Sequence, residues 1–190
     1  MALTWSMDKI GPITRSVEDC ALVFDAIRGP DGRDATLEDL PFNWDAEQDI
    51  SSLRIGYYRS AFEAERENNS TGRINDNAVV AKLREMGVDL IPIELPNEID
   101  LRAIRFILSV ESAAAFDKLT RSGQDDLLVR QTGGSWPNTF RKARLVPAVE
   151  YVQANRVRTL VMQQMAEVMK QVDVYVTPSF GGNNLLLTNL

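Results

Sequence analysis

The chain has 190 residues, 44% of them hydrophobic and 25% charged, and its 21 basic and 27 acidic side chains leave a formal net charge of −6. These proportions describe a soluble globular domain with a sizeable core, and the acidic balance argues against a tight grip on a phosphate backbone. With no histidine and Cys20 as its one cysteine, the chain excludes histidine relays, histidine-ligated zinc and an internal disulfide, and fits a reducing, cytoplasmic compartment.

In chain order, the first dozen residues read as a loop ending in Ile10-Gly11-Pro12. Ser16 is placed as an N-cap, with Glu18 and Asp19 complementing the dipole of the helix it opens. Val17, Cys20, Ala21, Phe24 and Ile27 follow at three- and four-residue steps, which makes Cys20 a small core residue. Gly29-Pro30 stops that helix. Residues Asp31 to Ser52 read as an irregular surface connection. Leu53–Tyr58 is predicted as a strand. An acidic, mobile stretch from Glu63 to Gly72 leads to a cap at Asn75 or Asp76. An amphipathic helix through Val79, Val80, Leu83 and Met86 then closes at Gly87, and Asp89–Ile93 returns as a second strand. Strand, helix, strand implies a parallel pair. A cap at Asn97 or Asp100 opens a long helix over Leu101–Thr120, ended by Gly123. A glycine-rich loop, Gln131 to Pro137, precedes a second long helix over Ala148–Gln171. The apolar side of that helix is traced by Val149, Val152, Val157, Leu160, Val161, Met165, Val168 and Val172. Met162, Met165 and Met169 read as core or near-core filling. Val174–Thr177 is a third strand, ended by Pro178. The fold class is therefore α/β, a mixed sheet with the long helices packed on it. No apolar run approaches the roughly 20 residues that cross a bilayer, no leader opens the chain, and the basic run Arg141-Lys142-Ala143-Arg144 reads as a solvated helix face. Neither a membrane nor nucleic acid is expected as a direct partner.

Few residues carry a chemical signal. In Thr132-Gly133-Gly134-Ser135 the paired glycines can bring backbone N–H groups to an oxyanion, with Ser135 beside them. Without histidine its base would have to be a lysine such as Lys118 or Lys142, and a flexible turn is the simpler reading. Thr177 and Ser179 sit at the carboxyl end of a strand, where open α/β sheets bind ligands. Glu111 falls inside the apolar sector of its helix, where a carboxylate bonded to a neighbouring loop is expected. Asp8 suits a loop-fixing acceptor of backbone N–H groups. No metal or cofactor set is present in the pattern.

The block from Ser6-Met7-Asp8-Lys9-Ile10-Gly11-Pro12 through Ser16-Val17-Glu18-Asp19 to Gly29-Pro30-Asp31-Gly32-Arg33-Asp34 resembles the amidase signature family. Later landmarks follow in the same order: Leu53-Arg54-Ile55-Gly56, Glu111-Ser112-Ala113-Ala114-Ala115, Tyr151-Val152-Gln153-Ala154-Asn155-Arg156 and Val172-Asp173-Val174-Tyr175-Val176-Thr177-Pro178-Ser179. The resemblance implies hydrolysis of carboxylic amide bonds by a Ser–cis-Ser–Lys triad, with no cofactor. It also implies that the two serines and the lysine precede the Ile-Gly-Pro block. That block begins almost at residue 1, and Ser135 follows it, so no catalytic residue is carried over.

Residues 1–190 are accordingly expected to be one partial domain of the amidase-signature fold, truncated at both ends and inactive alone. It would supply scaffold and substrate-pocket walls for a small-molecule amide, with Ser135, Thr177 and Ser179 as weak pocket residues. Alternatives are a non-catalytic binding module of the same fold, or part of the A-type subunit of a glutamyl-tRNA(Gln) amidotransferase. Against the last, no counterpart is found for the arginine with which that subunit reads a substrate carboxylate. The apolar end Leu185 to Leu190 suggests self-association, possible homo-oligomers included.

Overall fold

A computed structural model describes residues 3–35, 37–64, 71–97, 99 and 102–178. Its first helix, α1 (Val17–Ile27), begins where the sequence places it: the Ser16 side chain accepts a hydrogen bond from the Asp19 amide. The left-handed backbone of Gly29, at φ 96°, follows its end. Helix α1 rests on the extended connection that follows, with Phe24 edge-on to Phe42 at 5.0 Å and the Arg28 guanidinium over the same ring at 5.9 Å. Cys20 is half-buried and meets the Thr14 hydroxyl, so it sits at the helix edge rather than in the core.

The sheet has three strands in the order β2-β1-β3, with β1 (Ile55–Tyr58) between β2 (Ile91–Ile93) and β3 (Val174–Val176). Both pairings are parallel; Gly56 lies opposite Ile91 on one side and Tyr175 on the other. The described sheet is thus wholly parallel where a mixed one was expected, because β2 and β3 each arrive from a preceding helix and run the same way as β1. All three strands are also shorter than predicted. Leu53 caps a short 3-10 turn at Ile50–Ser52, and the Arg54 side chain and amide are taken by Asp173 before the ladder starts.

Between β1 and β2 lie α2 (Arg59–Glu63) and α3 (Thr71–Glu85). Helix α3 starts before Asn75 and Asp76, which are interior residues rather than caps, and Gly87 closes it at φ 83°. Much of the stretch expected to be mobile, and Asp100 and Leu101 at the next helix start, lie outside the described residues. The first long helix is in fact two: α4 (Arg102–Ala115) and α5 (Asp117–Arg121), separated at Phe116, whose ring stacks on Phe140 at 4.6 Å. Gly123 ends this pair in the left-handed region. The glycine loop gives way at Trp136 to a further helix, α6 (Trp136–Ala143), and α7 (Ala148–Met169) follows.

Helix α4 packs chiefly against α7 and α6, so the long helices cover one another more than they cover the sheet. The core divides accordingly. Ile55, Val88, Ile93 and Val172 are buried about the strands, and Ile107, Ala113, Phe140, Ala143 and Ala154 are buried among the helices. Helix α7 buries Ala154 fully and half-buries Val157, Val161, Met165 and Val168 of the predicted stripe, while the stripe's Val149, Val152 and Leu160, and Met162 outside it, face outward. Its inner side mixes the half-buried apolar residues with Tyr151, whose hydroxyl meets the Glu111 carboxylate of α4. The basic run is not simply solvated either. Arg141 pairs with Asp125 and Asp126, and Arg144 with Asp117.

Candidate functional site

The polar centre of the described molecule lies where the loop at residues 4–8, α4 and α7 meet. Glu111, on the inner face of α4, is only 8% exposed. A carboxylate so placed is costly unless its lone pairs are filled. Donors from the loop and α7 fill them, among them the Ser6 amide at 3.0 Å on Oε2, the Ser6 hydroxyl at 2.7 Å on Oε1, and the Tyr151 hydroxyl at 2.8 Å on Oε1. Arg158 then donates to Ser6 Oγ at 2.6 Å. Tyr151 and Arg158 are seven residues apart, two turns on one helix face.

A serine hydroxyl has one proton, so Ser6 donates to Glu111 and accepts from Arg158, which fixes the polarity of the chain. Burial by itself would raise the Glu111 carboxyl. The hydrogen bonds from Ser6, Tyr151 and Thr4 outweigh it and hold the group below the ordinary carboxylate range. Tyr151 shifts the other way: its hydrogen bond to Glu111, with burial added, raises the phenol. The loop itself is a tight turn, in which the Asp8 amide donates to the Thr4 carbonyl, the Met7 amide to the Thr4 hydroxyl, and Asp8 Oδ2 accepts the Leu3 amide. Glu111 and Asp8 thus take the loop-fixing roles expected of them. That Ser6, Tyr151 and Arg158 are partners is new at the level of structure. Tyr151 and Ser6 belong to the family landmarks, but a contact spanning 105 or 152 residues leaves no local signal.

The other candidates are not gathered here. Ser135 is buried directly before α6, and its hydroxyl donates to the Thr132 carbonyl at 2.6 Å. Asn138 Nδ2 donates to the Gln131 and Thr132 carbonyls, and Gln131 Nε2 to those of Asp125 and Leu128, so the loop is closed upon itself. No lysine hydrogen-bonds Ser135 among the described residues. Thr177 is exposed just past the carboxyl end of β3, and Ser179 lies outside the described residues. A cleft of about 330 Å³ lined by Tyr57, Phe62, Arg73, Asn77 and Arg84 lies beside the carboxyl end of β1 and contains none of these residues. Among the described residues no three Cys, Asp or Glu side chains converge as metal ligands, and no helix is long and apolar enough to cross a membrane. Chemically, the Glu111 cluster can hold a backbone segment in place; its one hydroxyl beside a carboxylate, that of Ser6, is taken up between Glu111 and Arg158.

Comparison with known proteins finds relatives along nearly the whole chain. The chain is 31% identical over 183 residues to an amidase of Pseudomonas putida, matching 94% of this chain and 38% of that protein. It is 28% identical over 201 residues to the A-type subunit of the glutamyl-tRNA(Gln) amidotransferase of Roseiflexus castenholzii, covering 94% of this chain and 41% of the relative. The chain thus spans about two fifths of the length of these relatives. Its fold superposes with a TM-score of 0.70 and 23% identity on a chain from a vestigial protein complex bearing on the origins of an s-triazine catabolic enzyme, over 93% of this chain and 37% of that one. The family model described as Amidase matches residues 1–189, and the chain therefore belongs to the amidase family.

Proposed function

We propose that this chain is part of an enzyme hydrolysing carboxylic amide bonds, supplying scaffold and pocket wall while the Ser–cis-Ser–Lys machinery comes from outside residues 1–190. The observation that carries the reading is the family match along the whole chain, combined with a Ser135 hydroxyl already committed to the Thr132 carbonyl. Thr177 and Ser179 belong to the pocket wall in this reading, since the carboxyl ends of parallel strands are where α/β sheets receive ligands. The substrate is a small amide, the compartment cytoplasmic, and neither nucleic acid nor a membrane is contacted directly.

Acyl transfer needs a nucleophile, a base and oxyanion donors within hydrogen-bond reach. The purified chain should therefore turn over no aryl or alkyl amide, and a fluorophosphonate probe should not label it stoichiometrically. Adding a polypeptide that carries the serine-rich signature segment should restore turnover. Labelling at Ser135 that disappears in Ser135→Ala would overturn the reading. Binding of small amides without turnover in the mixture would favour the non-catalytic module. The match to an amidotransferase chain supports a second reading, part of such an enzyme, tested by release of ammonia from glutamine in the same mixture.

A further inference from the structure

We propose that Glu111 is a positioning residue: through the Ser6 amide and hydroxyl it clamps the segment Thr4–Asp8 to the α4–α7 pair, and so sets the path of the chain next to the active site. The proposal rests on the amidase reading, in which the Ile-Gly-Pro block follows closely on the reactive serines.

Three observations converge on it. The first is that Glu111 holds backbone as well as side chain. A bond to the Ser6 amide at 3.0 Å fixes where the main chain runs, which a contact to a rotatable side chain does not. The second is that apolar side chains in and after the segment give it little cover: Trp5 is 88% exposed, Ile10 89% and Ile13 100%, while Thr4 is deeply buried. The third is the composition of the cluster. A buried carboxylate without an adjacent cation is a poor device for stability alone, since an apolar residue of like size would cost less desolvation. Here the counter-charge, Arg158, reaches Glu111 only across the Ser6 hydroxyl, so carboxylate and cation are joined only when Ser6 is in place. Tyr151 supplies a further donor from α7 and keeps the carboxylate aimed at the loop. Such a network discriminates one loop position from its neighbours, because a shift of an ångström breaks several charge-assisted bonds together. Displacing a reacting group by about that distance can cost on the order of a hundredfold in rate.

The test is Glu111→Gln, which preserves size but replaces one of the two acceptor oxygens with an N–H donor and removes the charge, so the Ser6 amide and hydroxyl can no longer be held together as the carboxylate holds them. Residue-resolved hydrogen exchange on the 190-residue chain should show the Ser6 amide exchanging at least tenfold faster, with the interior amides of α4 and α7 unchanged. An unchanged Ser6 amide would overturn the clamp, as would equal acceleration throughout both helices. If Glu111→Gln does not fold, Tyr151→Phe takes its place, with a several-fold increase expected at Ser6 and the same reading of outcomes. In the amidase-length enzyme containing this chain, either variant should lower kcat tenfold or more with KM within twofold. A raised KM at constant kcat, or no change in either, defeats the positioning role. A wild-type enzyme without amide hydrolysis would instead remove the amidase reading, and the exchange result would then decide the clamp alone.

Discussion

Arg141 divides one guanidinium among four partners. Its Nε lies 2.6 Å from Asp125 Oδ2 and one terminal nitrogen 2.5 Å from Asp126 Oδ1, while the other donates to Gln131 Oε1 and Asn138 Oδ1 at 3.2 and 3.3 Å. Asp125 is 2% exposed, and its contact to Nε is too bent for a hydrogen bond, so proximity of charge compensates it. Arg141→Ala should cost about 1–3 kcal/mol, the order for stranding a buried acceptor, and Arg141→Lys should recover only part because the fork is lost. A urea-midpoint difference equivalent to under about 0.5 kcal/mol, the range of ordinary surface changes, would contradict this account. Glu111 gives a pH-dependent counterpart. Its folded pKa lies below the unfolded value of about 4.3, so its stabilisation is complete above that value and is lost as pH falls through the folded one. Asp49, Glu94, Asp117 and Asp173 are shifted the same way. Glu111→Gln should therefore flatten, not abolish, the loss of stability between pH 7 and pH 3, measured by urea unfolding at both. Residues whose role is local were legible from sequence, as with Ser16 at its cap and Gly87 beyond α3. Glu111 was half legible: an acid inside an apolar sector needs a partner, but nothing local says that the partner is Ser6, 105 residues away.

Strand β1 shows why element type was readable and element packing was not. The run Ile55-Gly56-Tyr57-Tyr58 is β-prone, and the helix between it and β2 dictates parallel pairing. The preference for glycine at Gly56 comes from its neighbours: an added Cβ would stand 3.0 Å from Val172 Cγ1, 3.2 Å from Tyr175 Cβ and 3.3 Å from Ile93 Cδ1. Those three residues come from both flanks of the central strand, and none is predictable as a neighbour from the strand's own sequence. Gly56→Ala should destabilise by about 1–3 kcal/mol, the usual cost of overpacking, seen as a lowered thermal midpoint. An unchanged midpoint would mean that Val172 moves aside freely. The two misjudged helices have tertiary causes as well. The α4–α5 run breaks at Phe116, whose ring stacks on Phe140, and α7 spends part of its inner side on Tyr151, which meets Glu111 of α4, so the Val149, Val152 and Leu160 part of its stripe is left outside. Helical periodicity finds an apolar stripe; it does not say which side of the helix the rest of the protein occupies.

At the scale of the molecule, that outward stripe becomes a solution property. Val149, Val152, Leu160 and Met162 of α7 are all more than half exposed, as are Val17 and Leu22 of α1 and the loop residues Trp5, Ile10 and Ile13. Isolated exposed apolar side chains are ordinary, but several on one helix, repeated on a second, exceed what a monomeric surface usually carries. An eleven-residue helix such as α1 is also marginal without tertiary cover. The net charge of −6 opposes association, yet that repulsion is screened over about 8 Å at physiological salt, whereas apolar burial is not. The chain should therefore self-associate, more strongly as salt rises, and should bind a hydrophobic dye. Light scattering at tens of micromolar in low and high salt measures the first effect, and dye fluorescence the second. Replacing Val149 and Val152 with glutamate should shift the distribution toward monomer while leaving the Glu111 cluster intact, because both side chains are more than half exposed and neither bonds to the cluster. A monodisperse monomer at both salt concentrations, dark to the dye, would mean that these apolar faces are covered within the chain itself.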